Sequence, residues 1–145
     1  MKPIQQEVKS RVENPIFLGA YTRAPFQYLV RGDQQDNKVA EAECQHWGGS
    51  QLLNIADKKE ADFIGSIFPG KVHWIGLRQI KGQFVWTNGE TSTFSNWQLE
   101  TPTILPGFGC TAVWPSRKWD HISCQQLLPF ICKRPVTTLE PYIVK

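Results

Sequence analysis

The side chains able to ligate, attack or cross-link are few in this sequence and widely separated. Four cysteines stand at Cys44, Cys110, Cys124 and Cys132, and three histidines at His46, His73 and His121. No two cysteines form a CxxC pair, which removes zinc-ribbon and thioredoxin-type redox chemistry. An even number of widely spaced cysteines suits two disulfides made in an oxidising compartment. Four cysteines allow three pairings, and spacing alone does not choose among them. His121 with Cys110 and Cys124 would supply three zinc ligands where four are needed, and the thiols are better used as a disulfide. No histidine sits in a nucleophile motif, and the acids scatter without the pairing that two-carboxylate hydrolysis requires. The expectation is therefore a non-enzymatic protein with no cofactor and no bound metal.

Two further features carry a possible binding role. Arg31-Gly32-Asp33 spells a tripeptide that integrins recognise, in a polar segment read as an exposed loop over 31–37. Glycine and aspartate are also what turn chemistry selects there, and that reading is preferred. Trp114 precedes Pro115-Ser116-Arg117-Lys118, where an exposed indole beside two cations would suit a protein or an anionic glycan.

The rest of the chain must position these groups. Its 145 residues fit one domain, and 41% hydrophobic with 20% charged residues is ordinary globular composition. Six tryptophans supply much core area from few residues. The net charge of +3 is spread along the chain, with only short pairs such as Arg117-Lys118 and Lys133-Arg134. Nucleic-acid binders concentrate such charge on one face, so no nucleic-acid partner is expected. No window approaches the roughly 18 apolar residues of a membrane span. The segment Met1–Glu7 lacks the apolar core of a signal peptide, so compartment is read from the cysteines, as secreted or extracellular.

Phe26–Val30 alternates in β-forming residues and predicts a strand. Lys38–Trp47 predicts a short helix carrying Cys44, with Val39, Ala42 and Trp47 as its apolar face, stopped by Gly48-Gly49. Leu52–Ile55 reads as a short buried strand. Asp57 followed by Glu60 forms a capping-box pattern ahead of Ala61, Ile64 and Phe68, which predicts a second helix. Strands follow at 72–77, 83–86, 111–114 and 128–133, with Asn88-Gly89 as a tight turn. Residues 95–109 hold two Pro and two Gly without periodicity, the pattern of a long functional loop. The fold class is α+β, with a leader or linker over 1–20, one domain over 21–135 and a tail over 136–145.

Landmarks along this order resemble the C-type lectin-like domain family over about 26–134. They are Ala40-Glu41 ahead of Cys44, Gly49 and Leu52, Glu60 with Phe63, and Trp74-Ile75-Gly76-Leu77. Then come Phe84–Gly89, Phe94-Ser95-Asn96-Trp97, Cys110, Trp119, Cys124 and Phe130-Ile131-Cys132-Lys133. The resemblance implies two helices flanking short antiparallel strands, a long loop pinned by a disulfide, and the pairings Cys44–Cys132 and Cys110–Cys124. It also implies that Trp74, Trp86, Trp97 and Trp119 are core.

Sugar-binding members of that family hold calcium with carboxylates and amides of the long loop, and calcium needs six to eight oxygen ligands. Here the triplet position falls on Thr101-Pro102-Thr103, Phe108-Gly109 stands ahead of Cys110 without an acid, and the pair after Trp119 reads Asp120-His121. Glu100 is one position out of register. The expectation is recognition without calcium, with a protein ligand bound by Glu100, Thr101, Thr103, Trp114, Arg117, Lys118, Asp120 and His121. Ile104, Leu105 and Phe108 would form an apolar centre and, through it, a possible oligomer contact. The alternatives are a carbohydrate-binding lectin, calcium-independent or with an atypical calcium site, and a structural module of an extracellular assembly.

Overall fold

The computed structural model describes residues 18–98 and 108–136. Its elements are β1 (Gly19–Arg23), β2 (Phe26–Gln35), α1 (Asn37–His46), β3 (Gln51–Leu52), α2 (Lys58–Ile67), β4 (His73–Ile80), β5 (Gln83–Trp86), β6 (Cys110–Val113), β7 (Trp119–Ile122) and β8 (Leu128–Pro135). The main path of the sheet runs β1-β2-β8-β4-β6-β7, with β3 added to β8 and β5 to β4. The pairings are antiparallel except that of β4 with β8, where Trp74 faces Phe130 in parallel. The architecture is thus α+β with a mixed sheet.

Alternation along the strands divides the core between the two faces of this sheet. Tyr28, Val30, Ile75, Leu77, Val113, Trp119 and Ile131 pack with Ile64 and Phe68 of the α2 side. Their sequence neighbours Leu29, Trp74, Ala112, Phe130 and Cys132 pack with Ala40 and Cys44 of α1. Of the tryptophans expected in the core, Trp74, Trp86 and Trp119 are buried, and Trp97 packs partly buried against them.

Both disulfides form as the resemblance implied. Cys44–Cys132 ties α1 to β8 across 88 residues, and Cys110–Cys124 ties the start of β6 to the segment after β7. α2 begins as expected: Asp57 caps it by accepting from the Glu60 N–H at 2.8 Å. Gly76 is required by crowding, since a Cβ there would meet the Leu52 carbonyl oxygen at 2.9 Å. At the β4–β5 hairpin, Lys81 and Gly82 both have positive φ, as a tight two-residue turn demands.

Two expectations are corrected. α1 buries Asn37, Ala40 and Cys44, whereas Val39 is 38% exposed and Ala42 is also exposed. The Cys44 cross-link and the close approach of small Ala40 set the buried face, overriding the bulkier apolar residues. Residues 31–35 are strand, not loop, because β2 continues along β8 with Arg31 opposite Phe130 and Gln35 opposite Leu128. Arg31-Gly32-Asp33 is therefore not displayed. The Arg31 guanidinium binds its own Asp33 at 2.9 Å and Glu43 at 3.0 Å, with the first pair only 12% and 14% exposed. Burial alone would raise the Asp33 carboxyl, but hydrogen bonds from Arg31 and Gln35 hold it below its ordinary value. β1 pairs with β2 from Gly19 onward, and the Leu18 N–H donates to the Val30 carbonyl.

Candidate functional site

Gln98 and Phe108 flank the residues of the expected long loop, and two strands of the sheet hold these flanks. On the departing side, the segment 96–98 lies along β7. The Trp119 N–H donates to the Asn96 carbonyl and the Gln98 N–H to the Trp119 carbonyl. The Asn96 amide also donates to the Arg117 carbonyl at 2.7 Å. On the returning side the β4–β6 register, Arg78 opposite Cys110, continues outward through a hydrogen bond from the Gln79 N–H to the Gly109 carbonyl. Ile80 follows Gln79 and Phe108 precedes Gly109 in the chain, so both residues stand next to this hydrogen bond. These side chains are 51% and 38% exposed, an apolar pair at the foot of the loop.

A cluster of aromatic rings surrounds Trp119 on the α2 face of the sheet. Trp119 meets Trp86, Phe94 and Trp97 edge-on at 5.6–5.7 Å. His121 on β7 packs against Trp97 at 4.6 Å and stacks on Phe84 at 5.3 Å. Burial lowers its pKa, against the opposing pull of the Asp120 carboxylate and the Cys110 backbone. Neither ring nitrogen has a hydrogen-bond partner among the described residues. The imidazole is thus held between two aromatic rings, where burial disfavours its charged form.

Asp120 is occupied. One carboxylate oxygen accepts from the Trp114 indole N–H at 3.3 Å and the other from the His121 N–H at 2.8 Å. Trp114 is consequently half-buried, its indole turned back along the sheet toward Asp120. The connection from β6 to β7 is a hairpin loop over residues 114–118. The Arg117 N–H closes a turn on the Trp114 carbonyl, and Arg117 takes a left-handed φ of 73°. That geometry sends the Arg117 side chain under the hairpin against α2, where its Nε would stand 3.1 Å from a Cβ on Gly65. Burial lowers its pKa, opposed by Asp62, and its Nε and Nη1 are unpaired among the described residues.

The sequence-expected site residues thus fall into separate groups. Asp120 and the Trp114 indole come together, whereas His121 meets Asp120 only through its backbone N–H and turns its ring to Phe84 and Trp97. Lys118 is exposed at the hairpin and reaches Asn96 at 3.4 Å. Arg117 points away from Lys118, so the expected indole flanked by two cations does not form. Glu100, Thr101, Thr103, Ile104 and Leu105 lie outside the described residues, as does Pro102. Ile80 was missed by sequence reasoning, because β4 is brought alongside the segment before Cys110 only by the β4–β6 pairing.

Among the described residues no group of three or more His, Cys, Asp or Glu stands together in a way that would hold a metal. At the calcium position, Asp120 has both oxygens engaged, its neighbour is an aromatic-packed imidazole, and Phe108 stands ahead of Cys110. Of these described positions Asp120 alone offers a carboxylate, and Glu100, Thr101 and Thr103 lie outside the described residues. Zinc ligation by Cys110 and Cys124 is precluded by their disulfide.

A family model described as Lectin C-type domain matches residues 34–134, and the chain belongs to that family. It is 38% identical over 101 residues to the mouse secretory phospholipase A2 receptor, covering 66% of this chain and 7% of that one. It is 31% identical over 120 residues to mouse C-type mannose receptor 2, covering 76% of this chain and 8% of that one. The chain therefore spans a small fraction of these receptors. Its fold matches that of a calcium-independent type II antifreeze protein with a TM-score of 0.76 at 21% identity, covering 83% and 97% of the two chains. C-type lectin-like domains are generally binding modules rather than enzymes.

Proposed function

We propose that this domain recognises a protein ligand outside the cell, without calcium, through the foot of its long loop. The observation that carries the reading is the exposed pair Ile80 and Phe108, with Phe108 where a calcium-binding relative would present an acid. An apolar side chain in that place favours a dry contact over a coordinated ion, and exposed apolar pairs with a polar surround are the usual anatomy of an interface centre. Trp114, Asp120 and Lys118 supply polar groups at varying distance from this pair, and the proposal extends to Glu100, Thr101 and Thr103 on the loop itself. Two disulfides support an extracellular location.

The test is a binding screen of the domain against an array of extracellular domains in chelator. Any hit is then measured with Phe108→Ser and Ile80→Ser. Loss of at least tenfold in affinity, about 1.4 kcal/mol, with an unchanged melting temperature is the expected result. Hits that require calcium, or that neither substitution weakens, contradict the proposal.

A further inference from the structure

Far from the loop, on the half of the sheet formed by β2, β3 and β8, lies a second concave site. It is a cleft of about 290 Å³ whose walls include Phe26, Gln51, Asn54, Asn88, Glu90 and Arg134. None of these residues belongs to the long-loop face.

The hydrogen-bond network fixes what this cleft offers. At its floor Lys133 donates to the Asn54 Oδ1 at 2.7 Å and is paired with buried Glu60. An ammonium group only donates, so Asn54 must present its oxygen inward and keeps its Nδ2 donors for another partner. Asn88 accepts from the Glu90 backbone N–H at 2.9 Å, which again assigns the oxygen to the protein and leaves the amide N–H groups over. The Glu90 carboxylate is exposed and makes no hydrogen bond or ion pair among the described residues. Phe26 lines the wall, braced by the Lys133 ammonium 4.0 Å from its ring centroid. Arg134 is held in place by Gln27, by the Gly48 carbonyl and by the Trp47 ring 3.8 Å away.

Charge narrows the ligand. An anion entering this cleft meets Glu90, and a cation meets Arg134 and the Lys133 end. A neutral group with several hydroxyls meets neither penalty. Its oxygens accept from the oriented Asn54 and Asn88 amides while its O–H groups donate to Glu90, and its C–H surface has the Phe26 ring. We infer that this cleft is a binding site for a neutral saccharide unit, independent of calcium and of the long loop. It is a different site from the protein-binding face, and either reading survives the failure of the other.

The experiment is a ¹⁵N–¹H titration of the whole chain in chelator with the methyl glycosides of glucose, galactose, mannose and N-acetylglucosamine, and with one sugar phosphate. Saturable shifts of the Asn54 and Asn88 side-chain amides with at least one neutral glycoside are expected. Glu90→Ala should weaken that binding about tenfold, as loss of a charge-assisted hydrogen bond does, at unchanged melting temperature. The inference is overturned by absence of shifts up to about 50 mM, or by shifts confined to the His121 and Trp97 region. Response to the sugar phosphate alone, or indifference to Glu90→Ala, overturns it equally.

Discussion

Glu60 and His121 are both polar residues set among aromatic rings, and the fold treats them oppositely. Glu60 accepts from the Tyr28 hydroxyl at 2.7 Å and the Ala56 N–H at 2.8 Å, and it pairs with Lys133, whose ammonium also binds Asn54. The Tyr28 hydroxyl is correspondingly pushed up, first by burial and then by Glu60. In the other region, toward the β6–β7 hairpin, His121, His73 Nε2 and the Arg117 Nε and Nη1 have no partner among the described residues. Buried polar groups in native proteins are nearly always satisfied, so the first region has the character of a structural joint. Unmatched groups concentrate where a surface does something besides hold the fold.

The largest effect should come from opening the joint. Lys133→Met leaves Glu60 buried without its cation, and a loss of about 3–5 kcal/mol in chemical denaturation is expected. Adding Glu60→Leu to that variant should restore much of the loss, because an apolar pair substitutes tolerably for a buried ion pair. Failure of the single variant to destabilise would dissolve the contrast.

At the hairpin end, replacing Cys110 and Cys124 together by Ala opens a loop spanning 14 residues and should cost about 3 kcal/mol by chain entropy. Hydrogen exchange should then rise along 96–98 and 119–122 and remain low around Glu60. A uniform rise across both regions would show that they are not energetically separate.

His73 sharpens the comparison through pH. It is fully buried beside Phe68, and its pKa is lowered to about 4, first by burial and further by Arg117. The unfolded chain takes up this proton near pH 6.5. Between these values the unfolded state binds more protons, so the His73 contribution to stability should fall as pH drops from about 6.5 to about 4, by about 3 kcal/mol, and that contribution levels off below. His73→Phe should flatten this slope.

The smallest effect is expected at Arg117. Glycine accepts a φ of 73° without strain, which offsets the loss of the side chain's packing on Gly65. Arg117→Gly should therefore change stability by less than about 1 kcal/mol.

Much of this fold is legible in the sequence because its signals are local. Asp57 with Glu60 announces α2, the β-branched and aromatic runs mark most strands, and the ordered landmarks imply both disulfides. What eluded the sequence depends on pairing between distant segments. Glu60 reads as a helix cap, and nothing near it in sequence reveals Lys133 as its partner. The tripeptide at Arg31 reads as a turn until β8 is alongside it. Trp119–Ile122 and Gly19–Arg23 show no strand pattern of their own and become strands by lying against β6 and β2. Of the candidate site, Asp120 and His121 were legible by position, whereas their engagement with Trp114, Phe84 and Trp97 was not.

Recognition without calcium at the loop foot is most directly tested by titrating calcium into chelator-treated protein to about 10 mM while following the backbone amides of Phe108, Trp114, Asp120 and His121 and the melting temperature. The account predicts no saturable shift and no stabilisation. Saturable shifts at these residues with a Kd at or below about 1 mM, the range of extracellular calcium modules, accompanied by a rise in melting temperature, would contradict it.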